Sequence, residues 1–214
     1  MSFRLWTPLG AVILIINALQ WMIIEAISAG AWKNPPYSYA TNYISDLGVP
    51  DCGSQFQGRE LCSPMHTLMN TSFMLEGVLF GAGVVLVARL VSGRARRVLM
   101  TLAIAHGVGM IVVGIFHGSP DGPSFGLALH VGGAGVGILC ANAIAILAGS
   151  SGSLLPHLAY RVFSVVIGVL GIVGVVLVGV SESTAGIFER ASVYSWLLWS
   201  VVTGVLLFAG RQAV

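Results

Sequence analysis

Charge is what this chain has least of: Lys, Arg, Asp and Glu make up 8% of its 214 residues, against about 25% in a soluble domain. So few charges cannot cover a surface that faces water, so lipid must solvate most of it. The formal net charge is only +2, too small a field to hold a polyanion, and nucleic acid is excluded as a partner. Chemical signatures are missing as well. No Walker loop, dinucleotide fingerprint, Gly-x-Ser-x-Gly elbow or His-Glu-x-x-His pair occurs, which removes several nucleotide-dependent, α/β-hydrolase and zincin classes. The histidines lack the paired arrangement that a transmembrane haem requires. Arg4 is followed by an apolar run that continues to about Ala29 without a short core and cleavage site, so it reads as a first span rather than a signal peptide.

What is present is apolar. The chain is 56% hydrophobic with 28 glycines, and its mean hydropathy is +0.91. Six apolar stretches are predicted to span: Trp6 to Ala29, Pro64 to Leu90, Val98 to Phe116, Phe125 to Ala148, Leu158 to Val180 and Ser192 to Ala209. Each is near the roughly 20 residues that a ~30 Å hydrocarbon core demands. The expected fold is all-α: a polytopic membrane protein forming one six-helix transmembrane domain over residues 1–214.

The few charges are sorted along the chain. Arg4, Arg89, Arg94, Arg96, Arg97, Arg161 and Arg211 fall on one side of such a bundle, and Asp46, Asp51, Glu60, Asp121, Glu182 and Glu189 on the other. Basic residues mark cytoplasmic loops, so both termini are expected in the cytoplasm. The long loop from about Gly30 to Ser63 would then lie outside. Its tyrosine-rich middle suits the headgroup zone, and a short interfacial helix or re-entrant cap ending at Gly48 and Pro50 is expected. Glycines cluster in spans 3 to 5, at Gly107, Gly109, Gly114, Gly132, Gly133, Gly135, Gly137, Gly168, Gly171 and Gly174. They fit close helix packing, with a homodimer face as the alternative.

Cys52 and Cys62 share the outer loop. An oxidising compartment favours a disulfide between them, worth roughly 2–3 kcal/mol in the chain-entropy treatment; a zinc pair or redox dithiol is the alternative. Cys140 reads as a small buried apolar residue. His66, His117 and His130 fall at the outer membrane face with Asp46, Asp121, Asn42, Ser45 and Asn70. Helix-end polar residues are the plain reading of this set; a binding pocket, or a Zn²⁺ site with an open position for water, are the others. Glu76 and His106 fall near mid-membrane on adjacent antiparallel spans, where pairing avoids the cost of a lone buried charge. His106 and His117 lie about three helical turns apart on one face. Glu25 approaches the same outer end from span 1. Glu189 and Arg190 precede span 6, where Arg190 has Glu182, Asp46, Asp121 or an anionic headgroup as prospective partners.

Several of these residues carry a family likeness. Asn42-Tyr43-Ile44-Ser45-Asp46-Leu47-Gly48, Ser63-Pro64 with Asn70, and Gly114-Ile115-Phe116 form its first part, and His130 and Glu189-Arg190-x-Ser192-Val193-Tyr194 with Trp199 complete it. Together they resemble domain-of-unknown-function family 998, six-helix prokaryotic integral membrane proteins, over nearly the whole chain. Ile-Ser-Asp with a following Gly also resembles, locally, the damage-regulated autophagy modulator type. The likeness implies a prokaryotic cell (plasma) membrane and no established reaction. The family usually carries Pro and acidic residues where this chain has His117-Gly118-Ser119-Pro120-Asp121, so the likeness favours Asp46 and His130 over His117.

Three functions fit. The first is an outward pocket of Asn42, Ser45, Asp46, Asn70, His130, Glu189 and Arg190 that binds a lipid headgroup or small amphiphile in a binding or transport-accessory role, with Arg190 facing an anionic group. The second is a metal-dependent membrane hydrolase, with His66, His117 and His130 holding Zn²⁺ and Asp46 or Asp121 as general base beside His130. It resembles the alkaline-ceramidase type but lacks its His-x-x-x-His spacing. The third is a proton-coupled carrier using Glu76 and His106. The absence of an internal repeat argues mildly against that one.

Overall fold

The computed structural model describes residues 3–51, 54–56, 59–118, 124–152, 154–180 and 182–210. Among them are six long helices: α1 (Phe3–Ala31), α2 (His66–Val87), α3 (Gly93–Ile115), α4 (Phe125–Ser151), α5 (Leu158–Leu177) and α6 (Ala185–Ala209). All six are long and apolar enough to cross a membrane. In lipid every backbone N–H and C=O must be satisfied within the segment, which leaves the helix as the form such runs take. Punctuation is local. Ser124 caps α4 by accepting from the Leu127 N–H at 3.0 Å, and α4 stops at Gly152 with φ +61°, a conformation that favours glycine.

Each helix packs on the next, and α6 returns to α1, so the six form a closed ring. Glycine sets the closest approaches. A Cβ on Gly109 would lie 2.6 Å from the Gly133 carbonyl oxygen, and one on Gly107 2.8 Å from that of Gly77. The stripes in spans 3 to 5 therefore serve contacts within the bundle, while Gly132 and Gly135 meet open space. The outward residues are apolar, Ile104, Val108 and Val131 among them, as lipid contact requires.

Two helices begin earlier than the hydropathy suggests. Helix α3 takes in the arginines from Gly93 onward. Helix α6 begins at Ala185 rather than Ser192 and carries Glu189 and Arg190 inside it. Hydropathy marks this charged pair as an end; the fold instead satisfies both side chains internally.

The connection between α1 and α2 folds back onto the helix ends. A single 3₁₀ turn, Ser45–Gly48, buries Asp46, Leu47 and Gly48, and Pro50 follows it. Ser63 Oγ donates to Leu47 O (2.6 Å) and Asn70 Nδ2 to Gly48 O (2.8 Å). The Ile187 N–H donates to Ala40 O at 3.2 Å. A small antiparallel ladder pairs Ser54–Phe56 with Arg59–Leu61, which the composition of the loop does not announce. The pairing of Cys52 with Cys62 lies outside the described residues, because Cys52 is not among them.

Candidate functional site

Among the described residues, three polar constellations inside the bundle carry carboxyl groups. The deepest joins five helices. Glu76 of α2 is fully buried, as is His106 of α3. His106 Nε2 lies 2.9 Å from Glu76 Oε2 and 3.2 Å from Oε1. Trp196 Nε1 donates to Oε1 at 3.0 Å and Asn17 Nδ2 at 3.3 Å. On the far side of the ring, His106 Nδ1 lies 2.8 Å from Gly137 O. A carbonyl only accepts, so Nδ1 carries a proton. One further proton is then shared between Nε2 and the carboxyl. The pair exists either as imidazolium with carboxylate or as two neutral groups, and both forms satisfy the same hydrogen bonds.

The second constellation surrounds Arg190 of α6, which is 6% exposed. Its Nε donates to Glu25 Oε1 at 3.1 Å, and one terminal nitrogen lies 3.0 Å from the same oxygen. The other terminal nitrogen donates to the carbonyls of Tyr39 (2.8 Å), Asn42 (2.9 Å) and Gly186 (3.1 Å). The Tyr37 hydroxyl accepts from the guanidinium and donates to Tyr43 O at 2.8 Å. Burial pushes the Tyr37 phenol well above its ordinary range, so it stays protonated and keeps that donor. The Tyr39 ring stacks beneath the guanidinium, 4.6 Å from its carbon. Glu25 also accepts from Tyr194 (3.0 Å) and Trp21 (3.0 Å). All five N–H groups of a guanidinium are thus committed. Arg190 ties α1, α6 and the 37–42 segment together, and its partner is Glu25 rather than the acids or headgroup expected of it.

The third constellation is a cavity of about 360 Å³, within the ~300–1,000 Å³ typical of ligand sites. Ser45, Asp46, His130 and Glu189 line its polar end; Trp21, Phe73, Met110, Ile138, Val193 and Trp196 line much of the rest. The Tyr43 N–H donates to Asp46 Oδ2 at 3.0 Å, and the adjacent Ile44 N–H donates to Glu189 Oε2. Successive peptide groups therefore hold the two carboxyl groups side by side. His130 is 5% exposed. Its Nδ1 lies 2.6 Å from Phe116 O, which places the proton there and leaves Nε2 as an acceptor.

Of the residues expected in the pocket, Ser45, Asp46, His130 and Glu189 line the cavity, while Asn42, Asn70 and Arg190 do not. Asn42 braces the loop instead: its Nδ2 donates to Asp46 Oδ2 (3.2 Å), and its Oδ1 accepts from the Ser38 N–H (3.0 Å). Asn70 holds the 3₁₀ turn through Gly48. The zinc set does not assemble: His66 bonds Ser63 O and His117 bonds Gly118 O. Among the described residues no group of three His, Cys, Asp or Glu is placed to hold a metal. Asp121 lies outside the described residues.

The profile of a family described as protein of unknown function (DUF998) matches residues 15–206. The chain belongs to that family. No curated protein and no solved structure matches it. For this DUF998 chain, the sequence reading does not reach Asn17 or Trp21, and it takes Trp196 only as an aromatic anchor of the last span. A lone Asn inside the apolar run of α1 is the signal that was available, because a polar side chain at that depth needs a buried partner. The two tryptophans carry no such signal, since an indole in a span reads as an anchor or as core.

Proposed function

We propose that this multi-pass membrane protein binds an amphiphile, a lipid headgroup with its chain or a small amphiphilic molecule, in a binding or transport-accessory role. One observation carries the reading. A single cavity is polar beneath the 45–48 turn and apolar toward the middle of the bundle, which is the polarity of an amphiphile in a bilayer. We place the protein in the prokaryotic plasma membrane, with the α1–α2 loop outside and both termini in the cytoplasm. The arginine sorting supports this orientation.

The test is native mass spectrometry of mildly extracted protein beside a Gly135→Phe variant. Gly135 lines the cavity, and a Cβ there meets nothing within 4 Å, so the position admits the start of a larger side chain at the cavity wall. An adduct near one per chain, lost in the variant, is expected. An adduct that survives filling of the cavity refutes the reading, as does wild-type protein that takes up no offered amphiphile.

A second reading has its own observation. Trp196 lines the cavity and also donates to Glu76. An occupant would therefore press on the group that shares a proton with His106, as a proton-linked carrier requires. Amphiphile binding whose pH dependence is identical in wild type and Glu76→Gln would remove this reading.

A further inference from the structure

We infer that the end of the bundle where α2 passes to α3 carries a docking site for an anionic phospholipid, with its phosphate between Arg94 and Arg97 and its chain on the outward face of α3. This site lies at the opposite end from the cavity and does not depend on what the cavity binds. Its first support is a charge imbalance. Glu25, Asp46, Asp51, Glu60, Glu182 and Glu189 all fall toward the end that holds the 45–48 turn, and Glu76 lies in mid-bundle. Asp121, outside the described residues, falls in the short link between α3 and α4, whose joined ends are at that same end. Among the described residues, therefore, no acidic side chain lies at the arginine end. A leaflet of anionic lipid supplies the missing charge.

The arginines at this end differ in what they leave free. Arg89 lies over the Trp6 ring, 4.8 Å from its centre. Arg161 donates to Gly149 O (3.0 Å) and Ser150 O (3.1 Å). Arg94 and Arg97, three positions apart on one side of α3, are both exposed and bond no described residue. With Val98, Thr101 and Leu102 they line a groove on that helix. Arg96 turns to the other side of α3 and is not part of it. Thr101 lies about 10 Å further along the helix than Arg94. The exposed Thr71 of α2 turns its hydroxyl back on Thr67 O at 2.8 Å, but the exposed Thr101 hydroxyl bonds no described residue. A polar group facing lipid without a partner is costly, and the ester carbonyls below a phospholipid's phosphate accept from it. Beyond Thr101 the face continues as Ile104 and Val108, 59% and 56% exposed. Along α3 the order is two guanidinium groups, a hydroxyl and aliphatic side chains. Phosphate, ester and acyl chain follow in the same order in a phospholipid, whereas free phosphate would use the arginines alone.

The experiment is native mass spectrometry of the full chain titrated with phosphatidylglycerol and with phosphatidylcholine of identical chains. In phosphatidylcholine the phosphate carries its own cation, so the arginines gain less from it. Phosphatidylglycerol is expected to bind at least tenfold more tightly. Arg94→Gln and Arg97→Gln should each cut that preference about fivefold, the effect of one arginine beside an anionic leaflet. Both side chains are exposed and unbonded, so the variants keep the fold. Arg96→Gln removes the same charge from the other side of α3 and should leave the preference within twofold. Equal binding of the two lipids by wild type overturns the inference. A loss in Arg96→Gln as large as that in Arg97→Gln also overturns it, because a diffuse field would then account for the preference. Displacement of phosphatidylglycerol by millimolar inorganic phosphate would replace the lipid with a bare anion. Gly135→Phe, at the cavity, should leave the preference unchanged; its loss there would move the lipid into the cavity and overturn the site on α3 with the amphiphile reading intact.

Discussion

Replacing Arg190 with alanine should unfold the loop end of the bundle well before the rest. The change removes the guanidinium that Tyr37, Tyr39, Asn42 and Gly186 share. It also leaves Glu25, 1% exposed, with only Tyr194 and Trp21 as donors. Breaking a buried ion pair from one side typically costs about 3–5 kcal/mol, mostly as the penalty of the stranded charge. In a chain of this length each kcal/mol moves the midpoint by about 2–4 °C, so a fall of roughly 6–20 °C is expected. The assay is thermal unfolding in detergent, followed by size-exclusion of what remains monodisperse. The stranded charge can be removed separately. The pair Arg190→Met with Glu25→Gln takes away both charges and keeps volume, so it should recover a large part of the loss, and a double-mutant cycle should show coupling above about 1 kcal/mol. A midpoint unmoved by Arg190→Ala, or a double variant no better than the single, would refute the account of Arg190 as a strut.

Glu76→Gln should fold with a midpoint within a few degrees of wild type. Its carbonyl still accepts from Trp196 and Asn17, and its amide donates to His106 Nε2; Glu76→Ala should lose about 3–5 kcal/mol, read by the same thermal assay. Gly109→Val should fail to yield monodisperse protein, because its Cβ would sit 2.6 Å from Gly133 O. Gly132→Ala, facing open space, should be neutral or stabilising by up to about 1 kcal/mol. A cysteine placed at Asp51 in a chain lacking its native thiols should react with an impermeant maleimide in intact cells, and one placed at Ser92 only after lysis. The reverse pattern would invert the topology.

The six helices were legible because lipid leaves an apolar run no other form, and because the turns between them are rich in Gly, Ser and Pro. The start of α6 was not legible. A hydropathy scale treats Glu189 and Arg190 as solvated, and their solvation here is supplied by Ile44, Glu25 and the loop carbonyls. For the site, depth was legible and azimuth was not. Glu76 and His106 sit at one depth on sequential helices, and the structure places them 2.9 Å apart. His66, His117 and His130 also share a depth, yet each turns to a different backbone carbonyl. The sequence offers Arg190 the acids of the outer loops or a headgroup and not Glu25, because Glu25 lies 165 positions away, beyond any spacing rule. The cavity has no sequence signature, since its apolar lining is the same Val, Ile and Met that fill every span.

The closed ring has a consequence for how the chain is made. Helix α1 leaves the ribosome first and α6 last, yet Glu25 of α1 is held by Arg190 and Tyr194 of α6, and Glu76 of α2 by Trp196. Two carboxyl groups therefore enter the bilayer long before these partners exist. They must wait protonated, or near the headgroups, because an ionised carboxylate there is costly. Glu76 gains His106 when α3 arrives, but only the arrival of α6 shuts the seam against α1 and gives Glu25 its cation. A nascent chain stopped short of α6 would carry Glu25 without its ion-pair partner, a mark by which a membrane protease can tell an unfinished molecule from a finished one.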